Sequence, residues 1–400
     1  MSNKLIKIGL LNFSIVALLG TILRYKIGFE FPYFDHKHLL FAHFYFAFCG
    51  WASHMFYILL KNEVNKKSID SPWFNRLIYI NLVSAYGILI SYATLGIGRL
   101  SIFFSVVSIL AGYLFAIVFI RKVWHLPSFI GKPWFISALL FNGISSFGFL
   151  YIANMMMTKT FDQNLYLGAS YFYLHFQYSG WFFFAVIGLL LGKLEKLKSF
   201  RYVKRIFYLF FAACIPAYLL SLLWAGLPWY IYIFAVIAVF LQFIALLLSF
   251  KILKTTFYEI KSTWKIETQY LFSIALIAIS IKILLQLISV VPAVSDLAFG
   301  YRSIVIAYLH LVFLGFTTLS IFGFLVYHGY ISTTKRNKIA LASLCFGIIG
   351  NEVILMIQGL ASLKYIVVPY VQPLLFVMSA IIFFSALTLF VTNIKMRGSD

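Results

Sequence analysis

Long apolar runs separated by short polar connections make up almost the whole chain, and their length sets the scale of the fold. Twelve such runs follow one another: Leu5–Arg24, His38–Leu60, Leu77–Leu95, Leu100–Ile120, Trp134–Met157, Gly168–Leu191, Val203–Trp224, Trp229–Phe250, Tyr270–Val291, Ser303–Tyr327, Ile339–Leu360 and Tyr370–Val391. Each is near the ~20 residues that an α-helix needs to cross the bilayer hydrocarbon. The pattern predicts an all-α polytopic membrane protein, a single integral membrane domain over residues 1–400. The first run follows Lys4 and Lys7, as a signal peptide would. It ends in "RYK" with no small-residue cleavage site, so it predicts a retained helix.

Composition agrees: 63% of the 400 residues are hydrophobic and 11% charged, more apolar surface than a soluble core of this size uses. The net charge of +21 could point to nucleic acid, but the basic residues fall in the connections and form no basic face or nucleic-acid motif. Their distribution carries topology instead. Taking termini and connections alternately, one side holds 24 of the 32 Lys and Arg, the other 7, and Lys282 lies within a span. The positive-inside rule then predicts both termini in the cytoplasm of a cell whose inner membrane holds the chain. Cys49, Cys214 and Cys345 are scattered within spans, which suggests neither a disulfide nor a metal cage. Trp73, Trp134 and Trp229, at span ends, predict an interfacial aromatic belt.

Four histidines, His36, His38, His125 and His328, sit in connections or at span ends, where solvation explains them. His43, His175 and His310 lie inside the second, sixth and tenth spans, 132 and 135 residues apart. All three of these spans run from outside to inside, which places the imidazoles roughly 7–11 Å below the outer boundary at 1.5 Å per residue. "HFQYSGW" (His175–Trp181) and "HLVFLGF" (His310–Phe316) share the pattern His, four residues, Gly, aromatic; in the second span Tyr45 holds the position five before Gly50. A threefold quasi-repeat of four helices follows. Ionisable groups inside spans are expensive and mark function. Neutral imidazole ligates iron, copper and zinc. A compact zinc or copper site would bring Cys or carboxylate partners or a tighter His spacing. A heme needs one or two axial imidazoles, an apolar pocket and cations for its propionates, and the chain is 20% aromatic. Gly50, seven residues after His43, lies on nearly the same helix face, where a missing side chain could admit a macrocycle edge. Arg24, Lys26, Arg99 and Arg302, at the outer ends of the first, third/fourth and tenth spans, could supply the cations.

Twelve spans with both termini inside, three four-helix arcs and histidines near the outer ends of the second, sixth and tenth helices resemble the heme–copper oxidase subunit I superfamily. "AHFYFAFCGW" is also similar to the second helix of small oxidase-subunit-I-like proteins and of the NnrS group. The resemblance implies that His43 and His310 ligate a low-spin heme, of b type, and that His175 matches the copper-binding histidine of the sixth helix. The seventh span, "VKRIFYLFFAACIPAYLLSLLW", has no histidine where the oxidases place an adjacent pair, and the tenth has one histidine rather than His-x-His. A complete oxygen-reducing centre is therefore not expected. Lys282 and Glu352 are the remaining charges deep inside spans, both roughly 12–14 Å from the outer face. They could pair, as structure or as a proton relay beside the site, with Asn351 and Gln358 extending a polar path. The expected function is a heme-binding membrane protein handling electrons or a diatomic gas, served by a respiratory electron-transfer partner. The alternatives are a twelve-span secondary transporter, against which the scarcity of interior proline (Pro216 is the clearest case) argues, or a heme-free accessory subunit of a respiratory complex.

Overall fold

A computed structural model describes residues 2–66, 71–194, 200–291, 293–294 and 301–393. Twelve helices are long and apolar enough to cross a membrane: α1 (Asn3–Gly28), α2 (His36–Asn65), α3 (Pro72–Leu95), α4 (Arg99–Trp124), α5 (Gly131–Thr158), α6 (Gln163–Lys193), α7 (Tyr202–Ala225), α8 (Trp229–Thr263), α9 (Ile266–Ser289), α10 (Arg302–Tyr327), α11 (Lys335–Leu363) and α12 (Val371–Asn393). No strand occurs among the described residues. This is a multi-pass, all-α membrane protein, as the hydropathy pattern predicts. Hydrocarbon offers no partner to backbone amides, so each span satisfies its own.

The helices outrun the predicted spans where polar residues can continue them. α2 starts at His36 because the Asp35 carboxylate accepts the His38 N–H at 2.9 Å, and α6 starts at Gln163 because Asp162 accepts the Leu165 N–H at 2.8 Å. α8 runs thirteen residues past Phe250, to Thr263. At 1.5 Å per residue its 35 residues reach about 52 Å, well beyond a hydrocarbon core of about 30 Å. Lys251, Lys254 and Lys261 lie on this extension, which meets no Gly or Pro before Trp264.

The contacts divide the chain into two compact units. The first comprises residues 1–118, 265–275 and 317–400. Within it α1 and α11 both pack along α12, and α2 packs on α3. The lower half of α10 runs beside α2: Trp51 Nε1 donates to Thr318 Oγ1 at 3.1 Å, and Asn62 Nδ2 to the Tyr330 hydroxyl at 3.2 Å. Successive contacts advance in the same direction along both segments, so these two segments are parallel. The second unit comprises residues 119–264 and 276–316. Here α5 packs on α6, and α8 on α7. Gly148 makes the α5–α6 approach possible: a Cβ there would lie 2.5 Å from the Ala169 carbonyl oxygen and 2.8 Å from the Tyr173 amide, backbone that cannot move aside.

One aromatic assignment changes. Trp73 and Trp229 are exposed, as belt residues are, but Trp134 is fully buried. Its ring lies 5.3 Å from those of Phe184 and Phe207. Gly188 of α6 admits it, since a Cβ at that position would meet the Trp134 Cβ at 2.9 Å. A span-end position in the sequence does not show which way the side chain turns; close packing against α6 turned this one inward.

Candidate functional site

The three histidine-bearing helices share a backbone feature. α2 widens into a π-helix over Ala47–Ser53, α6 over Phe176–Phe182, and α10 over Leu311–Thr318. Each stretch contains the glycine of the repeat, Gly50, Gly180 or Gly315, followed by an aromatic residue. π-helical turns are rare and concentrate at functional sites. Three at equivalent places give the fourfold helix rhythm a structural counterpart. His175 and His310 immediately precede their π stretches, whereas His43 stands four residues before Ala47. Relative to the glycines the displacement is two residues, since His43 stands seven before Gly50 and the other two stand five before theirs.

A π turn breaks the regular i→i−4 ladder, and inside a membrane the released carbonyls need other donors. In α2 they find carboxamides. Asn12 Nδ2 of α1 donates to the Gly50 carbonyl at 2.6 Å, and Asn81 Nδ2 of α3 to the Cys49 carbonyl at 3.1 Å. Tyr86 donates its hydroxyl hydrogen to Asn12 Oδ1 at 2.7 Å, and Ser108 donates to Asn81 Oδ1 at 3.0 Å. Three buried polar side chains, Asn12, Asn81 and Ser108, and the half-buried Tyr86, from three helices, thus hold one irregular turn in place.

Just above this network, His43 Nδ1 lies 3.0 Å from the Val16 carbonyl oxygen. A carbonyl only accepts, so Nδ1 carries the proton and Nε2 presents its lone pair. The ring rests on Gly20, where a Cβ would lie 3.1 Å from His43 Cε1. Gly20 is the residue whose own N–H would bond the Val16 carbonyl in the α1 ladder, so one missing side chain both seats the ring and opens that oxygen to it. Arg24, a turn further along α1, is within electrostatic reach of His43 and of Glu352.

The same device recurs eleven residues along both helices, at His54. Its Nε2 bonds the Leu5 carbonyl at 3.0 Å, and its ring edge approaches Gly9. His54 is fully buried, and its Nδ1 has no hydrogen-bond partner. The four-helix rhythm misses His54, because Phe184 and Leu319 occupy the positions four after Gly180 and Gly315. Its spacing from His43, about three turns on the same face, was the available signal.

His175 and His310 are anchored differently. His175 Nε2 bonds the Cys214 carbonyl of α7 at 2.8 Å. That carbonyl is available because α7 turns 3₁₀ at Pro216: Tyr218 N bonds Ile215 O at 3.1 Å instead of reaching back to Cys214. For His175, therefore, Nε2 holds the proton. His310 Nδ1 bonds the Ile306 carbonyl, one turn back in its own helix, at 2.9 Å. α6 begins five residues before the predicted span, so His175 stands twelve residues into its helix, against seven for His43 and eight for His310.

The cations and the two deep charges fall as follows. Arg99 and Arg302 are exposed first residues of α4 and α10. Lys282 donates to Gln242 Oε1 at 3.1 Å within the second unit, and Glu352 accepts from Asn351 Nδ2 at 3.1 Å within the first. Each charge meets a carboxamide of its own unit. Gln358 lines a cleft of about 450 Å³ with Ser362 and residues 366–373 where α11 passes to α12. Lys67, Lys196, Lys198, Lys395 and Arg397, which enter the charge-topology argument, lie outside the described residues.

No family model matches the chain, and no curated protein matches it. The donor set separates the two metals the sequence suggests. Axial ligation of a heme needs a single oriented imidazole nitrogen per ligand, and a metal-binding histidine commonly fixes that nitrogen by donating its other N–H to a carbonyl. His43 and His310 both have this arrangement through Nδ1. His175 donates through Nε2 to the Cys214 carbonyl and so keeps its lone pair on Nδ1, and among the described residues no three His, Cys, Asp or Glu side chains group so as to hold an ion. The oriented imidazole of His43 fits a heme iron.

Proposed function

We propose that the chain is a heme-binding protein of the inner membrane, with both termini in the cytoplasm, handling electrons or a diatomic gas such as nitric oxide. The observation that carries this reading is the matched pair of oriented imidazoles. His43 donates through Nδ1 to the Val16 carbonyl, which would leave Nε2 to hold a heme iron, and His310 is oriented by its own Nδ1 bond to the Ile306 carbonyl. A heme held by two imidazoles supplies one-electron chemistry, or gas binding when one ligand yields. The protein's part is to orient the two rings, through Val16, Gly20 and Ile306, and to keep water away with buried aromatics. Arg24, Arg99 and Arg302 are the cations for the propionates. Turnover as an oxidase is not part of the proposal, and His175 is assigned to holding α6 against the broken α7.

Absorption spectra of the purified protein, oxidised and reduced, test the reading. Bis-imidazole ligation gives a low-spin spectrum with a sharp Soret shift on reduction. His43→Ala and His310→Ala should each abolish it or convert it to high-spin, and His175→Ala should leave it in place. Protein that carries no heme after expression with ample heme supply overturns the reading and leaves the twelve-span carrier as its successor.

A further inference from the structure

In the second unit the π stretch of α6 and the start of the 3₁₀ stretch of α7 enclose a cavity with parts of α8 and α9. Its volume of about 10 Å³ is lined by Tyr178, Ser179, Cys214, Gln242 and Lys282 on the polar side, with Phe and aliphatic side chains closing the rest. Lys282, Gln242 and Cys214 are all more than nine-tenths buried.

The hydrogen-bond inventory of this cavity is one-sided. Lys282 brings three N–H donors and a positive charge, and spends one donor on Gln242 Oε1. An ammonium has no acceptor, so that bond fixes the Gln242 amide with its oxygen toward Lys282. Gln242 Nε2, with two more donors, is then buried without a partner. Cys214 directs its thiol to the Ser179 carbonyl at 3.7 Å. No carboxylate lines the cavity. A buried ammonium facing one neutral amide retains most of its desolvation cost, and an unpaired amide N–H adds to it. The missing component is an acceptor that carries negative charge.

We propose that this cavity is a binding site for one small monovalent anion of halide size, held by Lys282 Nζ and Gln242 Nε2. The volume limits the ligand to a single atom: it is about that of one water-sized sphere, too small for sulfate, phosphate or a carboxylic acid, and a chloride, somewhat larger than that sphere, enters as the flexible Lys282 side chain gives way. The charge distinguishes the ligand from water, which would satisfy the amide but leave the ammonium uncompensated. The site is independent of any heme, since none of its residues is assigned to one.

The test uses the full chain purified in detergent, titrated with chloride or bromide against gluconate at constant ionic strength. Chloride and bromide should raise the thermal midpoint saturably, sulfate and gluconate should not, and bromide should give an anomalous scattering peak beside Lys282. Gln242→Glu supplies an internal carboxylate at the same volume, so it should fold and lose the halide dependence; Lys282→Met should lose it too. Equal midpoints in chloride and gluconate would overturn the proposal. So would halide dependence that persists unchanged in Gln242→Glu, or that emerges only in Cys214→Ser, which would make the Cys214 thiolate the counter-ion.

Discussion

Replacing Gly20 with alanine sets two opposed effects against each other, and the structure says which wins. A Gly in a helix interior is about 1 kcal/mol worse than Ala, so the substitution alone should stabilise α1. The added Cβ, however, would lie 3.1 Å from His43 Cε1, inside the ordinary 3.4–4 Å contact range. The ring cannot simply back away, because its Nδ1 is held at 3.0 Å by the Val16 carbonyl. Overpacking of this kind costs about 1–3 kcal/mol. Gly20→Ala should therefore be neutral to about 2 kcal/mol destabilising in the native chain. In a His43→Ala background the obstruction is gone and only the helix preference remains, so the same change should stabilise by about 1 kcal/mol. The sign reversal is the signature, and the double-mutant cycle isolates a coupling of about 1–3 kcal/mol. Equilibrium unfolding in mixed detergent micelles measures all four proteins. An identical Gly20→Ala effect in both backgrounds would show that the imidazole does not rest on this glycine, and the orientation argument for His43 Nε2 would go with it.

Three further outcomes are expected. Asn12→Leu strands the Gly50 carbonyl and the Tyr86 hydroxyl, whose bonds to Asn12 are 2.6 and 2.7 Å; with about 1–3 kcal/mol per stranded group, it should destabilise by about 2–6 kcal/mol in the same micelle assay, and Tyr86→Phe should recover part of that loss. A reporter inserted near Asp162 should be external and one fused after Asp400 cytoplasmic; a cytoplasmic signal at Asp162 would invert the positive-inside reading. Asp35, outside the spans, has its pKa held below the ordinary aspartate value first of all by the His38 N–H. A depressed carboxyl lends stability above its unfolded pKa, about 4, and withdraws it as pH falls through the lower folded value. Amide exchange in the first turn of α2 should therefore accelerate in acid, and Asp35→Asn should flatten that dependence.

The spans were legible because bilayer thickness and backbone satisfaction impose one length and one secondary structure on any apolar run. All twelve predicted runs coincide with helices, with ends displaced where a local cap such as Asp35 or Asp162 extends the helix into polar sequence. The repeat of His, Gly and aromatic residues was visible as a spacing, but that it marks π turns was not. A π turn exists only if carbonyls it releases find donors, and for α2 those are Asn12 and Asn81, on two other helices. The tautomers of His43 and His175 differ for the same reason: which ring nitrogen carries the proton depends on whether the facing carbonyl belongs to Val16 or to Cys214. Sequence periodicity ranks a side chain by its own helix. The partners of Lys282, His54 and Trp134 were decided by neighbouring helices, because in a bundle the low dielectric leaves each buried polar group to whichever donor or acceptor packing brings within about 3 Å.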